Sequence, residues 1–412
     1  MISTKIEAIC QSYHSQFGQA KIRVSLKNLQ KLATKEAIKA KKNYSQLAKP
    51  KSCSLPTYVA LWVREILEQK LILKTLRKID LKNPGQDSYA QALASFFYLL
   101  PLELIPHLQK EIFNAPFPKR QKIWQNFNLP IKDIENRFQH LVKTREKEPL
   151  RKGFSPPWQY SLIKNKVPLK NYSQFIKNVD QLIIHLNQKL SCFKNLPVWF
   201  YDEFNYPCFI CQLSSFPFSS LREAFDFVAE EYPIIDKFSP KIKIESKKDN
   251  SFTIYKRKKD TFLINIGEGS NIRHQTMSLI HELSHVASLL ASLSEGKDLV
   301  FIGGKYKVEK EAIKIETALL KKISLQLYFA SLGDVLLFPF RNTLFEIDLH
   351  QKPNQKPSKL YAQSFNRCFL GAKQKNNPLY LLDKRIISGP FSYLYHAIAR
   401  YEILSENYLL VK

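Results

Sequence analysis

The sequence predicts a mainly α-helical protein with one small β-sheet that lies directly before a helix containing two histidines. Three observations support this fold class. Apolar residues recur at helical spacing near both ends of the chain, short β-rich runs occur only between about residues 197 and 266, and the segment that follows contains MSLIHELSHVASLL, Met277 to Leu290. The chain has 412 residues, of which 44% are hydrophobic, so it can bury a sizeable core.

The N-terminal part, from Ile2 to about Arg145, is predicted to form helices with lysine-rich outer faces. Its segment PTYVALWVREILEQKLILKTLRKI carries apolar residues at roughly helical spacing: Val59, Leu61, Ile66, Leu67, Leu71 and Leu73. The stretch Glu146–Trp158 is rich in proline and charge, which predicts a linker. We therefore expect an N-terminal helical domain over residues 1–150 and a second domain over residues 151–412.

The second domain is predicted to begin with a helix over Asn171–Leu190, for which Ser173 is the expected N-cap. The chain then changes to short β-rich runs separated by turn residues or charges: VWFYDEF, CFICQL, KIKIES, SFTIY and TFLINI. A helix over Ser219–Tyr232 interrupts these runs. From Arg273 onward the pattern is helical again, and the HELSH helix is expected over about residues 273–291.

The formal net charge of +27 indicates either a lysine-rich solvated surface or an anionic partner. The basic clusters KEAIKAKKNYSQLAKPK, YKRKKD and KPNQKPSK lack the interleaved aromatic residues of an RNA-binding face, so no nucleic-acid partner is expected. The sequence contains only 11 glycines and no GxGxxG motif, which argues against a nucleotide-binding loop.

Neither a secretory signal nor a membrane span is expected. The N-terminus lacks the apolar core of a signal peptide. The most hydrophobic run, Tyr89–Ile105, contains Gln91, Pro101 and Glu103 and is short for a membrane span. Six scattered cysteines are too few for a disulfide scaffold in a chain of this length. These features predict a cytoplasmic protein.

The segment HELSH places two histidines four residues apart on a helix. His281 and His285 therefore point in about the same direction and can offer two imidazoles to one metal ion. Glu282 is turned aside by one residue, which suits it to hold a metal-bound water rather than the metal. This is the arrangement of the HExxH zinc peptidases.

A catalytic zinc needs a third protein ligand and one open position. No third histidine follows at metzincin spacing, but an acidic helix is predicted over Lys307–Ile323. Glu309 and Glu316 are seven residues apart and share one face of that helix, while Glu311 faces elsewhere. Spacing alone leaves the choice of ligand open.

In these segments the chain resembles the oligoendopeptidase F and thimet oligopeptidase group of zinc peptidases, which are helical zincins. FLINIGEGSNIRHQTMSLIHELSHVAS is similar to the family's strand, Asn-containing turn and HExxH helix. EKEAIKIE matches the family's ligand glutamate, which another glutamate follows seven residues later. Further segments resemble the family in the same order: WFYDEFNYP, FPFSSLREAFDFVAEEYP, FRNTLFEIDLH and PFSYLYHAIA. The likeness covers about Leu190 to Lys412, roughly half of the chain.

The resemblance implies one zinc ion held by His281, His285 and Glu309, with Glu282 as the general base. It implies a zinc-dependent metalloendopeptidase that hydrolyses peptide bonds of short or unfolded peptides with zinc-activated water. The peptide substrate would lie extended along the strand TFLINI by edge-strand pairing, and the N-terminal helices would wall the channel.

The family uses tyrosine hydroxyls to stabilise the tetrahedral oxyanion, and Tyr393 and Tyr395 are the candidates here. The chain departs from the family at two positions. Ser284 replaces the glycine of HExGH, and Ile387 stands where a histidine is expected before the tyrosines, although His396 lies beside Tyr395.

Two alternatives belong to other functional classes. One is a catalytically weakened or inactive relative that binds peptides or anionic partners. The other is a basic nucleic-acid-binding protein in which the HELSH sequence is a coincidence. Absence of bound zinc, or a third-ligand glutamate that points to solvent, would favour the inactive relative. A continuous positive groove remote from the histidines would favour the nucleic-acid-binding protein.

Overall fold

The structure is a computed structural model that describes most of the chain after residue 130. The described residues are 131–151, 155–190, 209, 213, 215–247, 251–256, 260–267, 272–295 and 305–408, the last range with gaps at 371, 373, 377–379, 381–382 and 389. Within them the protein is mainly α-helical and contains one small sheet, which confirms the predicted fold class. The helices expected over residues 1–130 and most of the runs VWFYDEF and CFICQL lie outside the described residues, so the division into two domains stays a prediction.

Helices lie on both sides of the sheet in the chain. Those before it are α1 (Ile131–Arg151), α2 (Trp158–Lys164), α3 (Leu169–Lys189), α4 (Leu221–Glu231) and α5 (Pro233–Phe238). The strands are β1 (Ile242–Lys247), β2 (Phe252–Lys256) and β3 (Thr261–Gly267). The helices after the sheet are α6 (Ile272–Ser294), α7 (Lys305–Ile323), α8 (Leu325–Val335), α9 (Arg341–Gln351), α10 (Pro357–Cys368), α11 (Lys384–Ser388) and α12 (Leu394–Tyr408). The helices predicted around residues 219–232, 273–291 and 307–323 are confirmed as α4, α6 and α7.

Two local predictions before the sheet are wrong. α3 begins at Leu169, directly after Pro168, whose backbone is extended (φ −62°, ψ 133°). Ser173 therefore lies inside the helix and cannot be its N-cap, because the first turn has already been completed. α1 ends at Arg151, so the first part of the predicted linker Glu146–Trp158 is helical.

Hydrogen bonds attach α1 to the helices that follow the sheet. A carboxylate oxygen of Glu135 accepts from the backbone N–H of Ser358 at 2.8 Å. The guanidinium of Arg145 donates to the carbonyl oxygen of Ile386, also at 2.8 Å. Both contacts are buried, so they fix α1 against α10 and α11 rather than joining it loosely.

The sheet has the strand order β1–β3–β2, with β3 parallel to β1 and antiparallel to β2. The prediction that a peptide pairs with TFLINI along a free edge is therefore wrong, because β3 is the central strand and bonds to a neighbour on each side. The apolar side chains Phe262, Ile264 and Ile266 of β3 are fully buried, as expected of a central strand. Among the described strands, β1 and β2 form the edges.

Three helices form the centre of the described structure. α6 packs along α7, α7 packs along α12, and α12 packs against α3. Leu279, Ile280 and Leu283 on α6 are completely buried, and burial of each such side chain stabilises the fold by about 1.5–3 kcal/mol. This packing fixes the rotation of α6 about its axis and so determines the direction in which the two histidines point.

Candidate metal centre

His281 and His285 lie next to each other on the face of α6 that meets α7. Their ring centroids are 4.8 Å apart and the rings are nearly perpendicular. Between them Ser284 is completely buried and donates a hydrogen bond from its hydroxyl to the carbonyl oxygen of Ile280 at 2.8 Å. A serine in place of glycine is therefore accommodated within the helix, because its hydroxyl is satisfied locally.

α7 supplies the carboxylates of this site, and the predicted helical face is correct. Glu309 and Glu316 are both buried, at 7% and 5% exposure, whereas Glu311 is exposed. Only Glu309 contacts both imidazoles. Its Oε1 lies 3.3 Å from His281 Nε2, and its Oε2 lies 3.5 Å from His285 Nε2.

Within the residues that the structure describes, His281, His285 and Glu309 form a group that can hold one metal ion. Each offers one ligand atom, and these atoms lie within 4.8 Å of one another. Glu309 Oε1 is buried, and the ring nitrogens of His281 and His396 lie 3.3 and 2.8 Å from it. A buried carboxylate oxygen in that position is costly unless a cation satisfies it, so these residues fit a metal ion.

The charges of the site are strongly coupled. Burial disfavours the charged form of His281, but Glu309 and Glu316 outweigh it and raise the pKa of His281 well above its usual value. Burial likewise opposes ionisation of Glu309, yet His396 and His281 hold the pKa of Glu309 well below its usual value. A metal ion that binds between these groups must therefore displace a proton from an imidazole.

Glu316 lies behind His281, on the side away from Glu309. Its Oε2 is 2.9 Å from His281 Nδ1 and accepts a hydrogen bond from Arg400 Nη2 at 2.6 Å. Burial opposes ionisation of Glu316, but Arg400 and His281 lower the pKa of Glu316 to about 2. Because this carboxylate can only accept, His281 carries a proton on Nδ1 and presents Nε2 to Glu309.

Glu282 follows His281 directly in the chain and is not one of the three candidate ligands. It is buried, and its Oε2 accepts a hydrogen bond from the hydroxyl of Thr253 at 2.7 Å. Thr253 belongs to β2, so this hydrogen bond joins β2 to the HELSH helix. The hydrogen bond fixes the orientation of the carboxylate, while its role as a base stays a prediction.

The two candidate tyrosines make different contacts. The hydroxyl of Tyr393 donates to Asp383 Oδ2 at 2.9 Å, and the guanidinium of Arg385 lies 5.5 Å from its ring centroid. The ring of Tyr395 packs against the imidazole of His396 with centroids 4.3 Å apart. Since His396 reaches Glu309, these contacts link Tyr395 to the candidate metal centre and Tyr393 to Asp383.

Two residues at the site were not assigned a role from the sequence. His396 Nδ1 lies 2.8 Å from Glu309 Oε1, and Arg400 contacts Glu316. Both belong to α12, and their spacing of four residues indicates a common helical face. The sequence contains no signal for what that face contacts. Ile387, where the family has a histidine, is a completely buried apolar residue of α11.

The chain matches no model of a known protein family, and no curated protein matches it. Among the described residues, no helix is both long and apolar enough to cross a membrane. The function of the chain therefore has to be inferred from the geometry of the site.

We predict that Glu309 is required for metal binding and that Glu311, two residues away on the same helix, is not. Glu309→Gln removes the carboxylate between the imidazoles, whereas Glu311→Gln changes an exposed side chain. After loading with zinc and dialysis, mass spectrometry should find one metal ion per chain in wild type and Glu311→Gln and far less in Glu309→Gln. Equal zinc in the two variants would contradict the ligand assignment.

The affinity for zinc should fall as the pH falls. Below its raised pKa, His281 is protonated on both nitrogens and must lose a proton to coordinate; above that pKa the affinity levels off. The expected slope is at most about tenfold per pH unit for each proton released. Titration calorimetry in two buffers of different protonation enthalpy measures the released protons. Heats of zinc binding that are the same in both buffers would contradict the release of a proton on binding.

Proposed function

We propose that the protein is a zinc-dependent metalloendopeptidase that hydrolyses peptide bonds in short or unfolded peptides. The observation that supports it most is the group His281, His285 and Glu309, together with a buried Glu282 that follows His281 in the chain and is outside the ligand set. Two imidazoles and one carboxylate are a donor set that zinc accepts, and they leave a fourth position for water or substrate. The resemblance of the ordered sequence segments to the oligoendopeptidase F group adds support for the same chemistry.

The bound zinc would supply an acidified water and polarise the carbonyl group of the substrate. Thr253 binds Oε2 of Glu282, which leaves Oε1 to take the proton of the attacking water. Glu282 then passes this proton to the nitrogen of the leaving amine. Because the hydroxyl of Thr253 on β2 binds one oxygen of its carboxylate, Glu282 keeps one orientation during both proton transfers.

We propose that the substrate lies along β2 instead of β3. β2 bonds to β3 on one side only among the described strands, so an extended peptide can add to its other edge. A peptide on that edge passes Thr253, whose hydroxyl contacts Glu282. The scissile bond would then reach the base and the metal centre together.

Tyr395 is the better supported of the two candidates for stabilising the oxyanion. Its ring packs on His396, which lies 2.8 Å from a ligand carboxylate. The hydroxyl of Tyr393 already donates to Asp383, and this bond orients it towards α11.

Glu282→Gln should keep zinc and fold while losing peptidase activity by at least about a hundredfold. Glutamine preserves the size and the contact with Thr253 but cannot take a proton. Cleavage of a mixed peptide library gives the activity, and Glu311→Gln serves as a control with the same chemical change on an exposed residue.

Equal cleavage by wild type and Glu282→Gln would contradict the mechanism. A wild type that binds zinc and cleaves no peptide in the library would favour the inactive, peptide-binding relative instead.

Tyr395→Phe should reduce kcat by about a hundredfold, whereas Tyr393→Phe should leave kcat near the wild-type value. Loss of the bond between Tyr393 and Asp383 should appear as a free energy of unfolding lower by about 0.5–1.5 kcal/mol. Steady-state kinetics and urea unfolding measure the two effects. A large loss of kcat in Tyr393→Phe with none in Tyr395→Phe would contradict the assignment.

A further inference from the structure

α12 places two cationic or protonatable side chains opposite both buried glutamates of α7. His396 lies 2.8 Å from Glu309, and Arg400, one helical turn further on, lies 2.6 Å from Glu316. His396 therefore faces the carboxylate of the metal group. Arg400 faces the carboxylate behind that group, and it contacts none of the three candidate ligands in the described contacts.

One oxygen atom connects Arg400 to the metal group. Glu316 Oε2 accepts from Arg400 Nη2 at 2.6 Å and lies 2.9 Å from His281 Nδ1. Both side chains of the ion pair are largely buried, with 17% of the Arg400 side chain exposed and less of the Glu316 side chain. A carboxylate oxygen that is held by a guanidinium in a buried site has little freedom to turn away from the imidazole.

Asp334 on α8 is the other acidic residue near Arg400. Burial raises the pKa of Asp334 well above its usual value, with Arg400 opposing this rise and Glu316 adding to it. Burial therefore favours the neutral form of Asp334, and the charge of Arg400 compensates Glu316. Without Arg400, Glu316 would be a buried carboxylate with only His281 as a charged neighbour.

We propose that Arg400 is a positioning residue of the metal centre. It fixes Glu316 Oε2, and this oxygen holds His281 by Nδ1 so that Nε2 points at the metal ion. The proposal rests on the metal site of the proposed function but not on peptide hydrolysis. Partners of ligand histidines commonly change metal affinity by 10–100-fold when they are removed.

A double-mutant cycle on zinc affinity tests whether Arg400 acts on His281 through Glu316. The full chain is compared as wild type, Arg400→Gln, Glu316→Gln and the double variant, with dissociation constants from chelator competition. Each single variant should bind zinc about 10–100-fold more weakly, and the double variant no more weakly than Glu316→Gln, because Arg400 acts through Glu316. The absorption bands of Co²⁺ in the site should shift in both single variants.

The control is Arg367→Gln, which breaks an exposed arginine–carboxylate pair between Arg367 on α10 and Asp180 on α3 (2.6 and 3.0 Å). This control should bind zinc as wild type does. Arg400→Lys keeps the charge but loses the planar guanidinium, and it should still bind zinc at least about threefold more weakly, with shifted Co²⁺ bands.

Wild-type affinity in Arg400→Gln, or independent losses that multiply in the double variant, would overturn the proposal. If Arg400→Gln does not fold, Arg400→Lys decides, and wild-type affinity with unchanged Co²⁺ bands in that variant would overturn it. A wild type that binds no zinc would overturn the proposed function as well. A wild type that binds zinc and cleaves peptides, with Arg400 variants of unchanged affinity, would overturn only the role of Arg400.

Discussion

The carboxylate of Glu309 lies between two imidazoles of one helix, and the packing of three helices keeps it there. α6 supplies the histidines, α7 supplies Glu309, and α12 supplies His396 on the remaining side. A buried carboxylate is costly to remove from water, so it has to be compensated by neighbouring charge. In the absence of a metal ion, the imidazole of His281 can provide that charge, because Glu309 and Glu316 raise its pKa, and a metal ion can take its place. The buried carboxylate of Glu309 therefore favours a positive charge between α6, α7 and α12.

Polar contacts further along α12 help to keep it in register with α7. Glu402 accepts hydrogen bonds from the hydroxyl of Tyr306 and the amide of Asn171, and it forms an ion pair with Lys310 at 2.8 Å. Asn171 also donates to Tyr306 at 2.8 Å, so α3, α7 and α12 meet in one network. These contacts lie close in sequence to the pairs that His396 and Arg400 make with α7. A shift of α12 by one turn would break all of them together.

Sequence reasoning reached the parts of the site that depend on spacing within one helix. The spacing in HELSH and the seven residues between Glu309 and Glu316 determine shared faces, and the structure confirms those faces because helical geometry is local. The contacts of His396 and Arg400 were missed because they depend on which helix α12 packs against, which no local pattern reports. The central position of the strand TFLINI in the sheet is likewise not indicated by any local pattern. Its order in the sheet depends on pairing with β1, about twenty residues away.

Anomalous X-ray diffraction at the zinc edge, on crystals of the full chain grown with zinc, tests the central claim most directly. The account predicts one strong anomalous peak about 2.0–2.2 Å from Nε2 of His281, Nε2 of His285 and a carboxylate oxygen of Glu309. In that structure Glu282 should lie outside bonding distance of the metal. A zinc ion bound by other residues, or no zinc between α6 and α7 at saturating concentration, would contradict the account.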